Sequence, residues 1–168
     1  MPGQKIDTFE ALGATLNKLQ NPGLLLVAGD QKPNPMAIGW MTAGVIWGLP
    51  VCVVLVRPSR HTYGLLKACG DFTVNVPADD MVKAVGFCGA NSGRDMDKAA
   101  KCGLEFGPSA DVRVPHLVGC PIHYECRTIN TSDMLKERLA RSVIDSCYPK
   151  GDFHTAFFGQ ILGVYRMP

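Results

Sequence analysis

Residues 36–56 form a run of 21 residues without a charged side chain, close to the ~20 that a helix needs to cross a bilayer. Its punctuation argues against one continuous helix. Gly39, Gly44, Gly48 and Pro50 interrupt it, and "WGLP" at 47–50 reads as a tight turn, because glycine opens backbone conformations closed to other residues and proline removes a donor. What remains is two extended runs, "MAIGWMTAG" (36–44) and "PVCVVLVR" (50–57), each too short to span a membrane as a helix. The stretch predicts a pair of strands in a soluble protein with no membrane partner.

The rest of the chain follows the same pattern. Phe9, Leu12, Leu16 and Leu19 recur at helical spacing behind Asp7, which stands three residues before Glu10 as in a capping box, and Pro22 and Gly23 end that helix. "GLLLVAGD" (23–30) reads as a buried strand and "QKPNP" (31–35) as a turn, so the first three strands suggest an antiparallel meander. Ser59 offers an N-cap to a helix stopped by Gly70, after which "DFTVNV" (71–76) returns as a strand. "DDMVKAVGFCG" (79–89) reads as a short helix with two carboxylates at its positive end. "CPIHYECRTI" (120–129) alternates as a strand, 133–148 as a helical excursion, and "FHTAFFGQILGVYR" (153–166) as a long final strand. Six or so strands with a few short helices, and no regular βαβ alternation, predict one mainly β domain over 1–168. Its expected form is a closed or half-closed antiparallel barrel with Greek-key-like connections.

Charge and cysteine usage narrow the function. Seventeen basic residues against fifteen acidic ones give a net charge of +2, too little general field for a nucleic-acid partner. Seven cysteines are an odd number without C-x-x-C spacing, and the N-terminus has no uninterrupted apolar core, which favours a reducing cytoplasm over secretion. "CPIHYEC" contains C-x2-H-x2-C. Strand alternation puts Cys120 and Cys126 on one face and His123 on the other, so no metal site is expected.

The one dense basic cluster is "VRPSRHTYG" (56–64). A strand ending at Arg57 and a helix opening at Ser59 would bring free backbone N–H groups, the hydroxyls of Ser59 and Thr62, and the guanidinium groups of Arg57 and Arg60 into a volume suited to a phosphate. A plain surface helix start with solvated arginines would look the same. "SGRDMDK" (92–98) adds Ser92, Arg94 and Lys98, either as a second group of phosphate ligands or as a polar turn with local ion pairs. The 36–44 run has small residues at 37, 39, 43 and 44 beside Trp40, which would let a flat ring approach the backbone or simply let a barrel strand pack tightly. No G-x-G-x-x-G, G-x-x-x-x-G-K-[ST] or G-x-S-x-G occurs, which disfavours a Rossmann site, a P-loop and a serine hydrolase. His154 begins the last strand, as a rim residue or as a catalyst.

Taken in order, "NPMAIGWMTAGVIWGLPVCVVLVRPSRHTYGLL", "FTVNV", "SGRDMDK", "HYECRTI" and "GDFHTAFFGQILGVY" resemble the flavin reductase-like, FMN-binding split-barrel family from about residue 20 to the end. The resemblance implies that Arg57, Ser59, Arg60 and Thr62 cradle the phosphate of a noncovalent FMN. It implies that Met36, Ala37, Ile38, Gly39, Trp40, Met41 and Thr42 line the isoalloxazine, and that Ser92, Arg94 and Lys98 reach the phosphate or ribityl end. His154 would lie near the reactive face as the catalytic residue. It also implies a homodimer that takes electrons from NAD(P)H as a transient co-substrate and passes them to an acceptor protein or free flavin. Within the same fold, a flavoredoxin-like protein fed by another protein and a noncatalytic flavin or haem carrier are the alternatives. Three positions depart from the family's common pattern: Ala37 stands where threonine is frequent, His61 where tyrosine is, and Gln160 where glutamate is.

Overall fold

The computed structural model describes residues 3–168. Its strands are β1 (Gln4–Lys5), β2 (Leu24–Ala28), β3 (Asn34–Ile38), β4 (Met41–Ile46), β5 (Leu49–Val56), β6 (Asp71–Val76), β7 (Phe106–Gly107), β8 (His116–Leu117), β9 (Ile122–Asp133) and β10 (Thr155–Arg166). The helices are α1 (Leu12–Gln20), α2 (His61–Cys69), α3 (Val82–Ala90), α4 (Lys98–Cys102) and α5 (Arg141–Cys147). The main sheet runs β3-β2-β6-β9-β10-β5-β4 with β1 on the far end of β10, every pairing is antiparallel, and β7 and β8 form a separate two-stranded ribbon.

β3 and β4 are consecutive in the chain yet lie at opposite ends of that order. Only Gly39 and Trp40 separate them, and three Cα–Cα steps reach at most about 11 Å. The two edges are therefore brought together and the sheet curls into a barrel whose seam carries no strand ladder. The sequence reading of 36–44 as one strand is corrected here, and with it the simple meander: alternation runs on through Gly39 and Trp40, but the backbone turns a corner and β4 pairs with β5, not with β3. The β4–β5 hairpin is as expected, with Trp47 (φ 55) and Gly48 (φ 71) in the left-handed region that a two-residue turn demands. The β5–α2–β6 connection skips β10 and β9 in the sheet order and packs α2 on β2, β3 and β6, which gives the Greek-key-like crossing.

Alternation sorts the core into two layers. Leu24, Leu26, Val54, Phe72, Val74, Tyr124, Cys126 and Phe157 fill the barrel. Leu25 and Val27 point the other way, against Val85 and Cys88 of α3 and Val114, Leu117 and Cys120. β2 is thus covered on both faces, which is why its sequence is continuously apolar rather than alternating. Cys120 and Cys126, read from the sequence as sharing a face, sit in different layers because the strand starts only at Ile122. His123 stacks between His116 (4.1 Å) and Tyr165 (5.2 Å), with its Nε2 3.2 Å from Glu125 Oε1.

Two caps also differ from the sequence reading. α1 begins at Leu12, later than the Asp7 signal, because the Asp7 carboxylate accepts the Phe9 N–H in a preceding turn and Glu10 pairs with Arg166. Arg60, not Ser59, is the N-cap of α2.

Gly159 of β10 faces the barrel interior, where a Cβ would lie 2.4 Å from Phe72 Cζ and 3.0 Å from Cys126 Cβ. Gly159→Ala is expected to destabilise the protein by about 1–3 kcal/mol through overpacking, measured by chemical denaturation. An unchanged midpoint would show that Phe72 yields freely.

Candidate functional site

Two neighbouring cavities open along the seam beside β3. The first, about 150 Å³, is lined by Asn34, Met36, Ala37, Ser59, Arg60, His61, Thr62, Cys88, Gly89, Asn91, Ser92, Gly93, Arg94 and Lys98. The second, about 190 Å³, is lined by Met36, Ala37, Ile38, Gly39, Trp40, Leu55, Val56, Arg57, Arg60 and His154. They share Met36, Ala37 and Arg60, so the Arg60 guanidinium stands at their junction.

The first cavity is cationic. Lys98 is 3% exposed, and its Nζ donates to the Cys88 carbonyl at 3.1 Å with no carboxylate in ion-pair range among the described residues. Burial lowers its pKa, and the nearby Arg60 charge adds to that. A buried ammonium costs free energy unless an anion accompanies it. Arg60 makes no ion pair among the described residues, and Arg94 is held over the site by a 2.8 Å bond to the Ser59 carbonyl. At the start of α2 no side chain caps the first turn, and Thr62 accepts a hydrogen bond from Asn34 Nδ2 (2.9 Å), which leaves its own O–H free to donate. Ser92 Oγ accepts the Arg94 N–H at 3.2 Å and shapes the loop that carries it. These donors fit a phosphate.

The second cavity is flatter and less charged. β3 supplies backbone and small side chains, and Trp40 at the corner is 41% exposed with its ring 4.7 Å from the His154 imidazole. His154 Nδ1 lies 2.7 Å from the Tyr148 hydroxyl. Burial pulls its pKa down to about 4, helped by the charges of Arg57 and Arg60 against the opposing pull of Asp152. The ring is therefore neutral at pH 7 and serves as a hydrogen-bonding and packing group, not a cation.

Of the residues singled out from the sequence, Arg60, Thr62, Ser92, Arg94 and Lys98 converge on the first cavity, and Met36, Ala37, Ile38, Gly39, Trp40 and His154 on the second. Four are placed differently. Arg57 lines the second cavity, but its guanidinium donates to the carbonyls of Cys147 (3.0 Å), Gly151 (3.3 Å) and Asp152 (2.9 Å) and lies over the Tyr148 ring. It holds the 147–152 turn that positions His154. The Ser59 hydroxyl is taken by the Asp152 carboxylate. Met41 packs on the barrel core and Thr42 is exposed, so neither lines a cavity, because both lie past the corner. Sequence reasoning missed Asn34, Asn91 and Tyr148. Asn34 lay inside an apparent turn, and Tyr148 reaches His154, six residues on, through the turn between them.

In the protein without ligand, His154 is expected to titrate near pH 4 in a histidine Cε1–H NMR titration. Its folded pKa is below the unfolded value of 6.5. The stability tied to its burial is therefore undiminished above about pH 6.5 and is lost as pH falls toward 4. A midpoint near 6.5 would show an open, solvated imidazole.

The model of the flavin reductase like domain matches residues 17–167. An uncharacterized protein of Archaeoglobus fulgidus is 32% identical over 140 residues, which cover 83% of this chain and 69% of that protein. Among solved structures, flavoredoxin from Methanosarcina acetivorans superposes with a TM-score of 0.69 at 27% identity, over 86% of this chain and 67% of its own. Flavoredoxin of Desulfovibrio vulgaris (Miyazaki F) does so with a TM-score of 0.68 at 25% identity, over 86% and 68%. The open antiparallel barrel, the seam that carries the two cavities and these matches lead to one conclusion: the chain belongs to the flavin reductase-like domain family.

Proposed function

We propose that the protein is an FMN-dependent oxidoreductase that takes electrons from a reduced nicotinamide nucleotide and passes them to an acceptor protein or free flavin. The observation that carries this reading is the buried Lys98 ammonium, which meets Arg60 and Arg94 in a cavity that adjoins an aromatic-lined cleft. Arg60, Arg94, Lys98 and the Thr62 hydroxyl would hold the phosphate, and Met36 to Trp40 would take the ring system. The Gly93 backbone lies against Asn34 and His61 and walls the cationic cavity there, which suits a terminal monophosphate better than a diphosphate that must continue to an adenosine. When bound, FMN supplies the redox chemistry by accepting a hydride from the nicotinamide.

The chain's own residues do the rest. Trp40 and the neutral His154 form one wall of the cleft, where they can orient an incoming nicotinamide without adding charge. Tyr148 fixes the His154 ring and Arg57 fixes the turn beneath it. The protein is further proposed to act as a homodimer in the cytoplasm. Val45 and Trp47 of the β4–β5 hairpin are 67% and 60% exposed, an apolar tip that a second copy would cover, and all seven cysteines are free thiols. The flavoredoxins among the structural neighbours favour a second reading, an electron-transfer flavoprotein fed by another protein.

Arg60→Ala is expected to weaken FMN binding by about 10- to 100-fold, the value of a charge-assisted hydrogen bond, with riboflavin binding nearly unchanged. Fluorescence titration with both ligands checks this, and equal weakening for the two would remove Arg60 from the phosphate site. Anaerobic NADH or NADPH should bleach the bound flavin in the wild type. His154→Ala should slow that reduction about 10- to 100-fold while FMN affinity holds. A flavin that NADH and NADPH leave oxidised would favour the protein-fed reading.

A further inference from the structure

His61 is the first residue of α2 and lies on the partition between the cationic cavity and a hollow of about 30 Å³ behind it, a partition that it shares with Asn34, Gly93 and Lys98. The 91–97 loop is pressed onto the ring: a Cβ at Gly93 would come within 2.9 Å of His61 Cδ2 and 2.1 Å of Asn34 Oδ1. The imidazole is thus held in place.

Charges reach His61 from three elements. Lys32 comes from the β2–β3 turn, Arg94 from the loop after α3, and Lys98 from α4. The single carboxylate lining either hollow is Asp97, and it already accepts the Ala100 N–H at 3.0 Å as the cap of α4. Arg60 adds a further cation to the cavity lining, and Cys88, the other titratable group there, is pushed by burial to about 11 and stays a thiol. Burial and the three cations together favour the neutral ring in the empty site. An arriving dianion reverses that field.

We propose that His61 is a proton-coupled ligand of the phosphate end of the flavin: entry of a phosphomonoester dianion is accompanied by uptake of one proton from solvent onto the His61 ring, so affinity rises as pH falls. The inference rests on the FMN reading above. The sign follows from linkage. A group that binds its proton more tightly in the complex than in the free protein makes binding take up protons, and affinity then grows toward lower pH across the window between its two pKa values. Below about pH 6 the phosphomonoester itself takes up a proton and the gain fades. The coupling makes the site selective for a dianion, since a ligand without phosphate gains nothing from the charge.

Calorimetric titration of the whole protein with FMN and with riboflavin, from pH 6.5 to 8.5, tests this with His61→Gln beside the wild type. Expected for the wild type is an FMN affinity about 10-fold tighter at the acid end, a riboflavin affinity that is flat, and a proton uptake approaching one in buffers of different ionisation enthalpy. His61→Gln should lose most of the slope and the proton uptake. Lys98 titrates in the same direction, and the variant separates it from His61, because a slope that survives in His61→Gln belongs to Lys98 and overturns the proposal. An NMR titration of His61 Cε1–H with and without inorganic phosphate is the second measurement: an upward shift of its midpoint with phosphate supports the proposal, and an unmoved midpoint overturns it. Complete absence of FMN binding would defeat the FMN reading itself, whereas tight FMN binding with a flat pH profile would defeat only the role of His61.

Discussion

Gly39 and Trp40 join strands that lie at opposite ends of the sheet order, and everything at the site depends on that short link. It forces the sheet to curl until β3 faces β4 across a seam, and a seam without a strand ladder leaves backbone and side chains free to line a cleft. Met36 and Ala37 come to both cavities from the end of β3, and Trp40 comes from the corner itself. The end of β5 and the start of α2 bring Arg57, Arg60 and Thr62 to the same seam.

The barrel also explains how charge can be concentrated there. Lys98 is buried by α3 and α4 packing on β3, with one carbonyl as its partner, and Arg60 and Arg94 crowd the same volume. Such an arrangement destabilises the empty protein, because three cations repel and one is desolvated. A bound anion relieves both terms, so ligand affinity and folding stability are linked through one set of side chains. His154 is the counterpart on the cleft side. Its neutrality comes from burial, helped by Arg57 and by Arg60, the latter shared with the neighbouring cationic cavity.

Much of this was legible in the sequence, and the part that was not has a consistent cause. β2, β5, β6 and β10 announce themselves by apolar runs and alternation, Arg60 and Thr62 stand out as a cation and a hydroxyl at an expected helix start, and Arg94 and Lys98 as cations in a polar stretch. The corner at 39–40 was hidden because alternation continues through it, while the change of pairing partner depends on the whole sheet. Ser59 and Arg57 looked like phosphate ligands, yet each is claimed by the 147–152 turn some ninety residues away. Tyr148 is the converse case. It stands only six residues before His154, and the turn closed by the Gly151 N–H on the Tyr148 carbonyl folds its hydroxyl back onto the imidazole, which no pattern in the sequence announces. Local chemistry was readable, whereas competition between distant partners for the same donor was not.

A crystal structure of the protein with FMN tests the central claim most directly. The expected result is a phosphate within hydrogen-bonding distance of Arg60, Arg94 and Lys98, and a ring system lying along Met36 to Trp40 opposite His154. A phosphate left in solvent with the cationic cavity unfilled, or a ring bound away from the seam, would contradict the account.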